Sequence, residues 1–299
     1  MLDQTPLRSD WTDAVARGAV PDPAALRDHL RRVHRDHAGF TEGCAARCRD
    51  ARGRTSYEWL AEAVDPERHG CVLDLACGSG ALLEVCHRRY PAALELIGVD
   101  MSPDELALAR ARLPASRARL IEGRAQALDA LPDGSVDAVL CHWALTLMDP
   151  VAPVLAEVAR VLSPTGRFAA IVDGPTDAAP GYGAVHDLIY GHVQAELPEY
   201  GTTDLGDPRI RTAGSLAALV GEAFPEAAVT VEPNLVSMEG PAERIAEEAA
   251  GFFYAAFVLP PAGRAAMLAE LAALLSERDP SGTRGRFVMP VNRLVVQRG

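Results

Sequence analysis

A short apolar run that ends in glycines contains the residue types best suited to binding a charged ligand. Residues 71–75 are almost entirely apolar, and residues 76–80 read Ala-Cys-Gly-Ser-Gly. This composition predicts a buried strand, a tight turn and a helix that begins at Ala81. Glycines expose the backbone and a helix N-terminus offers N–H groups, so such a turn can hold a carboxylate or a phosphate. We therefore expect a cofactor site at residues 76–80.

A second polar group follows twenty residues after Gly80, at the end of another mainly apolar run. Residues 94–99 form the run and Asp100 ends it, and the Ser102-Pro103 pair then has the composition of a helix start. Ligands bind at the carboxyl ends of strands in open parallel sheets. A carboxylate at this position can accept both ribose hydroxyls of an adenosine.

Residues 72–80 closely resemble the first motif of class I S-adenosylmethionine-dependent methyltransferases, in which an acidic residue precedes a small-Cys-Gly-x-Gly turn. The G-x-G-x-x-G fingerprint of dinucleotide-binding proteins fits less well, because Leu83 stands at its third glycine position. The resemblance extends over about residues 71–172, where strand and helix patterns alternate. It implies an α/β protein with a doubly wound, mostly parallel seven-stranded sheet, the Rossmann-like methyltransferase fold.

The same resemblance implies S-adenosyl-L-methionine as the cofactor and a set of residues that contact it. In the family, an aspartate commonly accepts a hydrogen bond from the adenine amino group, but Arg124 stands at that position here. The backbone of Ala125 or the side chain of Gln126 can replace that contact. The expected cofactor-binding residues are Asp74, Ala76, Gly78, Gly80, Asp100, Met101, Ala125, Gln126 and Cys141.

Two residues are candidates for the catalytic step. His142 follows a predicted strand over residues 136–141, at a position that the family places beside the transferable methyl group. A histidine with an unperturbed pKa of about 6.5 suits a general base near neutral pH, although His142 could instead only hold its loop. Tyr57 lies in a predicted helix before the first motif, where relatives place groups against the cofactor or the substrate. The alternative interpretation is that the Tyr57 ring only packs against its neighbours.

Helical patterns before and after this core predict that the chain is divided into four segments. Aromatic residues in the last part could line an acceptor pocket or pack against the core. A strand at residues 286–296 resembles the final antiparallel strand of the family. The expected parts are an N-terminal arm and helical cap at residues 1–65, a cofactor-binding core at 66–174, a lid insertion at 175–211, and the remainder of the core at 212–299 with a helical insertion at about 240–285.

Charge and cysteine content restrict the partners. A net charge of −12 argues against a broad basic face for nucleic acid and against docking on anionic lipid. Six scattered cysteines, with no basic and apolar leader, favour a cytoplasmic location. The pairs His34/His37 and Cys44/Cys48 lack the further ligands of a closed zinc site, so we expect no metal.

These observations lead to one main functional hypothesis and two alternatives. The resemblance implies methyl transfer to an N-, O- or C-nucleophile of a small molecule, by direct attack, in specialised biosynthesis. The expected partner is then a small-molecule substrate. The sequence leaves open whether the chain forms a homodimer. The alternatives are an NAD(P)-dependent oxidoreductase on the same fold and a partner protein that binds S-adenosylmethionine without catalysis.

Overall fold

The computed structural model describes residues 7–91, 94–201, 205–277 and 279–299. Residues 1–6 of the expected arm, 202–204 of the expected lid and 278 of the expected helical insertion lie outside the described residues. Within the described ranges the strands are β1 (Cys71–Leu75), β2 (Glu95–Asp100), β3 (Ala118–Glu122), β4 (Val136–His142), β5 (Leu162–Asp173), β6 (Ala228–Pro241) and β7 (Arg284–Gln297).

Local sequence signals explain where several helices begin. The Thr55 hydroxyl accepts a hydrogen bond from the Glu58 N–H, and the Glu58 carboxylate accepts from the Thr55 N–H, which forms a capping box. Ser102 caps the helix that starts at Pro103. The helices are α1 (Asp10–Ala16), α2 (Pro23–Asp36), α3 (Phe40–Arg47), α4 (Ser56–Ala61), α5 (Ala81–Arg89), α6 (Pro103–Arg112), α7 (Ala152–Val161), α8 (Tyr182–Glu196), α9 (Ala213–Ala223), α10 (Ala242–Phe252) and α11 (Pro261–Ser276).

The strands of the described residues form one seven-stranded sheet with the order β3-β2-β1-β4-β5-β7-β6. Neighbouring strands from β3 to β5 are parallel, and β7 pairs with β5 in the antiparallel direction. The order reverses at β1, between β2 and β4, as in a doubly wound fold. The predicted α/β fold class and the final antiparallel strand are confirmed.

Strand register decides which side chains share a face of the sheet. Asp74 pairs with both Gly98 and Leu140, and His142 pairs with Ile171. Residues that pair in register point to the same side, and alternate residues along a strand do so too. One face, here called the site face, therefore carries at its carboxyl edge the side chains of Asp74, Asp100, His142 and Asp173.

The opposite face of the sheet, here called the core face, is covered by α7 and α9. Its strand residues form a buried apolar cluster with Val158 of α7 and Leu216 of α9. Burying these side chains stabilises the fold by about 25 cal/mol per Å² of apolar surface. The strand residues of this cluster include Leu73, Leu75, Ile97, Val99, Val139, Cys141, Phe168, Ala170, Val172, Leu294 and Val296.

The chain divides into two compact units that interleave along the sequence. One unit comprises residues 52–174, 205–234 and 291–299, and it contains β1–β5 with α4–α7 and α9. The other unit comprises residues 1–51, 175–204 and 235–290, with α1–α3, α8, α10 and α11. The expected lid insertion thus divides at residue 204, and the four-part division stays a prediction. Among the described residues, no helix combines the length and apolar character needed to cross a membrane.

Candidate functional site

The turn between β1 and α5 adopts the backbone conformation that its glycines allow. Gly78 and Gly80 have φ angles of 50° and 78°, and Ala76 also has a positive φ of 58°. A Cβ on Gly80 would lie 3.0 Å from the Cβ of Ala109, so α6 packs closely against this turn. A non-glycine residue at positive φ is uncommon and often marks a functional loop. The turn is therefore a candidate ligand-binding loop at the N-terminus of α5.

Leu83 packs against β2 because β2 has a glycine where the two elements meet. A Cβ on Gly98 would lie 2.9 Å from Leu83 Cδ1 and 2.8 Å from Cys77 Sγ. In a dinucleotide-binding fold, the third glycine of the fingerprint provides this close approach from the helix side. Here the strand provides it, so the helix can carry a leucine. Gly98 is a site-supporting residue that the motif did not single out.

Asp100 at the end of β2 joins two backbone segments. Its Oδ2 accepts a hydrogen bond from the Gly78 N–H at 2.8 Å, and its Oδ1 accepts one from the Ser102 N–H at 2.8 Å. The side chain is buried. An ionised carboxylate has about four lone-pair sites, two on each oxygen. Asp100 can thus hold the glycine turn and also accept hydrogen bonds from a ligand.

Asp74 is a buried carboxyl group with a different environment. It is 2% exposed, and neither of its oxygens has a hydrogen-bond partner among the described residues. Burial, together with the nearby Asp100 charge, raises the pKa of Asp74 well above its ordinary value. An unpaired buried carboxylate costs free energy unless a positive group compensates it. The pair of carboxyl groups therefore favours a cationic ligand beside the glycine turn.

The remaining cofactor-binding candidates lie at the same edge of the sheet, but one of them, Cys141, is on the core face. Met101 follows Asp100 directly, and Ala125 and Gln126 lie in a turn closed by the bridge between Arg124 and Ala127. The Cys141 thiol belongs to the buried cluster on the core face. Because alternate strand residues face opposite ways, Cys141 can contact a ligand on the site face only through its backbone. Cys141 stays a predicted cofactor-binding residue, and its backbone is the part that can make the contact.

His142 and Tyr57 contact each other. Their rings stack with centroids 3.9 Å apart, and the Ser56 hydroxyl lies 2.9 Å from His142 Nε2. Burial lowers the pKa of His142 to about 3, so the ring is neutral near pH 7. A base with so low a pKa takes up protons weakly. The geometry therefore favours the alternative in which His142 holds its loop, with Ser56 and Tyr57 on α4 as supports.

Comparison with known proteins identifies the segment that carries most of the candidate site residues. Residues 73–170 match the family described as "Methyltransferase domain". This segment is similar to a methyltransferase domain. The match confirms the class I S-adenosylmethionine-dependent methyltransferase resemblance inferred from residues 72–80.

Two curated relatives and one solved structure agree with the family match. A demethylmenaquinone methyltransferase of Thermus thermophilus is 34% identical over 145 residues, which cover 45% of this chain and 62% of the relative. An uncharacterised methyltransferase of Mycobacterium tuberculosis is 42% identical over 120 residues, 39% of this chain and 46% of the relative. The chain thus spans less than two thirds of either relative.

The solved structure is the YcgJ protein of Bacillus subtilis. It is 17% identical to this chain, with a TM-score of 0.55 over 82% of this chain and 98% of its own length. At this level of identity the comparison shows a shared fold. Besides Gly98, two features of the site were missed in the sequence: the support of His142 by Ser56, and the buried Oδ1 of Asp173 at the end of β5.

The neutral state of His142 makes a prediction about stability. Because its pKa is lowered in the folded protein, the unfolded chain binds the proton more readily, so folding stability falls as pH drops below about 6.5. His142→Gln should reduce this loss of stability between pH 6.5 and about 3. Chemical unfolding of both proteins across this pH range measures the difference.

Ser56→Ala is the matched control for the histidine. It removes the hydroxyl from Nε2 but keeps the imidazole, so we expect a loss of about 1 kcal/mol that changes little with pH. Parallel stability curves for His142→Gln and the unsubstituted protein would contradict a buried neutral imidazole.

Proposed function

We propose that this protein transfers a methyl group from S-adenosyl-L-methionine to a small-molecule acceptor. The observation that carries the proposal is the buried carboxyl group of Asp74, without a hydrogen-bond partner among the described residues, beside the turn of a methyltransferase domain. S-adenosylmethionine carries an ammonium group and a sulfonium, and both are cations that such a carboxyl group would stabilise.

The residues present fit the other parts of the cofactor as well. The Asp100 carboxylate can accept hydrogen bonds from ribose hydroxyls in addition to those from the backbone. The first N–H groups of α5 have no partner within the helix, and a helix N-terminus favours the carboxylate of the methionine part. Met101, Ala125 and Gln126 are the candidates for the adenine. When bound, the cofactor supplies an electrophilic methyl group; the protein aligns the acceptor and excludes water.

The acceptor is proposed only as a class. One relative is named for demethylmenaquinone, a small molecule, and it resembles this chain over part of its length. We infer a small-molecule acceptor that attacks the methyl carbon in line with the bond that breaks, as part of a biosynthetic reaction. The acidic net charge supports small substrates over nucleic acid.

A calorimetric titration tests the proposal without knowledge of the acceptor. S-adenosylmethionine and its demethylated product, S-adenosylhomocysteine, should bind the purified protein, and NAD should not. The side chain of Leu83 at the third fingerprint position is the reason to expect no NAD binding. Binding of NAD alone would favour the oxidoreductase alternative. Binding of both nucleosides with no methyl transfer to any acceptor in a broad screen would favour the non-catalytic alternative.

A further inference from the structure

Asp173 is a partly buried acidic residue that no motif in the sequence pointed to. It is the last residue of β5, the strand next to β4. Its Oδ1 is buried and has no hydrogen-bond partner among the described residues. Its backbone carbonyl accepts a hydrogen bond from Asn292 Nδ2 at 3.4 Å, and the Asn292 side chain is buried. The end of β5 is therefore fixed, while this carboxyl oxygen has no structural partner within the described part of the chain.

The register of the sheet places Asp173 beside the other site residues. His142 pairs with Ile171, so Asp173 lies two residues further along the neighbouring strand and on the site face. Strand spacing and rise put the Cα atoms of His142 and Asp173 roughly 8 Å apart. Asp173 thus stands at the edge where ligands bind in open parallel sheets.

The surrounding charges set the protonation of Asp173. Burial raises its pKa to about 6, while the charge of Arg211 acts in the opposite direction. Arg293 pairs with Ile171 in register, but its guanidinium donates hydrogen bonds to the Trp59 carbonyl and to Glu232. A carboxyl group with this pKa is mostly ionised at pH 7 and still accepts a proton readily.

A purely structural role does not explain this residue. A buried carboxyl group with a raised pKa lowers folding stability at neutral pH, because the unfolded chain ionises more easily. Perturbed acids in ligand-binding edges are typical of functional sites. The low pKa of His142 leaves the site without the base that the sequence suggested.

Building on the proposed function, we propose that Asp173 is the catalytic base and that the acceptor is a hydroxyarene or an enol, a class that must lose its O–H proton to attack. The proton moves from the acceptor oxygen to the Asp173 carboxylate. The electron pair left on the acceptor forms the new bond to the methyl carbon, and the pair of the broken S–C bond stays on sulfur. A neutral amine carries its own lone pair and does not need this step.

The test uses 1,4-naphthalenediol, kept reduced, as the hydroxyarene probe, and 1-aminonaphthalene as the amine of matched shape. The protein, Asp173→Asn and Asp173→Glu are compared by calorimetry and by S-adenosylhomocysteine release. We expect the diol to bind more tightly above pH 6 than below it, because the ionised carboxylate accepts its O–H. Asp173→Asn should abolish this pH dependence, lower kcat/KM for the diol by about 100-fold or more, and change amine binding far less. Asp173→Glu should restore part of both effects.

Separate readouts distinguish this inference from the proposed function. S-adenosylhomocysteine should bind Asp173→Asn as tightly as it binds the unsubstituted protein. If it binds neither, the proposed function fails and this inference with it. If it binds both while diol binding is absent or independent of pH, Asp173 is not the base and the acceptor class is wrong. A raised unfolding midpoint for Asp173→Asn above pH 6 would verify that this variant folds.

Discussion

Replacement of Asp74 by asparagine is expected to stabilise the free protein at neutral and alkaline pH and to weaken its binding of S-adenosylmethionine. The two effects have one cause, the buried carboxyl group that has no hydrogen-bond partner among the described residues. Without a ligand, ionising this group is costly because of burial and the nearby Asp100. With a cationic ligand, the same negative charge becomes favourable.

The raised pKa of Asp74 determines how the stability gain of Asp74→Asn changes with pH. The pKa of Asp74 is raised in the folded protein, so the unfolded chain ionises first as pH rises above about 4. Folding stability is therefore lost from that pH upward, until the folded carboxyl group ionises as well. The amide of the Asp74→Asn variant cannot ionise, so the advantage of the variant should grow over this range. A rise of a few degrees in the unfolding midpoint at pH 8, with a smaller rise at pH 5, is the expected result.

The ligand effect is measured by titration of the same two proteins. Losing one charge-assisted interaction should weaken S-adenosylmethionine binding by about 10- to 100-fold. Asp137→Asn is the matched control, because Asp137 lies at the opposite end of β4 and accepts hydrogen bonds from the N–H groups of Gly70 and Cys71. It should lower stability and leave ligand affinity unchanged. Unaltered affinity in Asp74→Asn would remove the observation on which the proposed function rests.

The alternation of strands and helices could be read from the sequence because each element carries its own local signal. Apolar runs of five to seven residues between capped helices indicated the parallel strands, and Asp100 at a strand end indicated the ligand edge. Strand ends were harder to place. The apolar pattern of residues 168–172 indicates only the last part of the fifth strand. β5 begins at Leu162, because Leu162 pairs with Val136 across an irregularity in β4. Such pairing depends on the partner strand, which a local pattern does not contain.

The site was predictable in its glycine turn and its two motif carboxylates, and less so in its supporting residues. Ser56 and His142 are 86 positions apart, so only the fold brings them together. The pKa of His142 was expected near its ordinary value because burial cannot be read from residue type. The orientation of Cys141 was readable, since its neighbour His142 must face the opposite side of β4. Asp173 followed no motif, and its significance depends on a buried carboxyl oxygen without a partner among the described residues.

Replacement of Asp100 by alanine is expected to be the most damaging single change at the site. The variant leaves the N–H groups of Gly78 and Ser102 without the carboxylate that accepts from each of them at 2.8 Å. Hydrogen bonds to charged groups contribute about 1.5–3 kcal/mol each, so we expect a stability loss of roughly 2–4 kcal/mol. The glycine turn would no longer be fixed in its left-handed conformation, and two ligand hydroxyls would lose their acceptor.

Titration with S-adenosylhomocysteine should show a loss of affinity of at least about 100-fold in Asp100→Ala, since two hydrogen bonds to a carboxylate disappear with the ordered turn. Glu122→Ala is the control: Glu122 pairs with Asp100 in register on β3, but its side chain is exposed. It should change neither stability nor affinity appreciably. Asp100→Asn separates the two roles of Asp100, because the amide keeps one oxygen acceptor and should recover part of the stability while ligand affinity stays low. If Asp100→Ala loses stability but binds the nucleoside normally, Asp100 only fixes the turn, and the ribose must be bound by other residues.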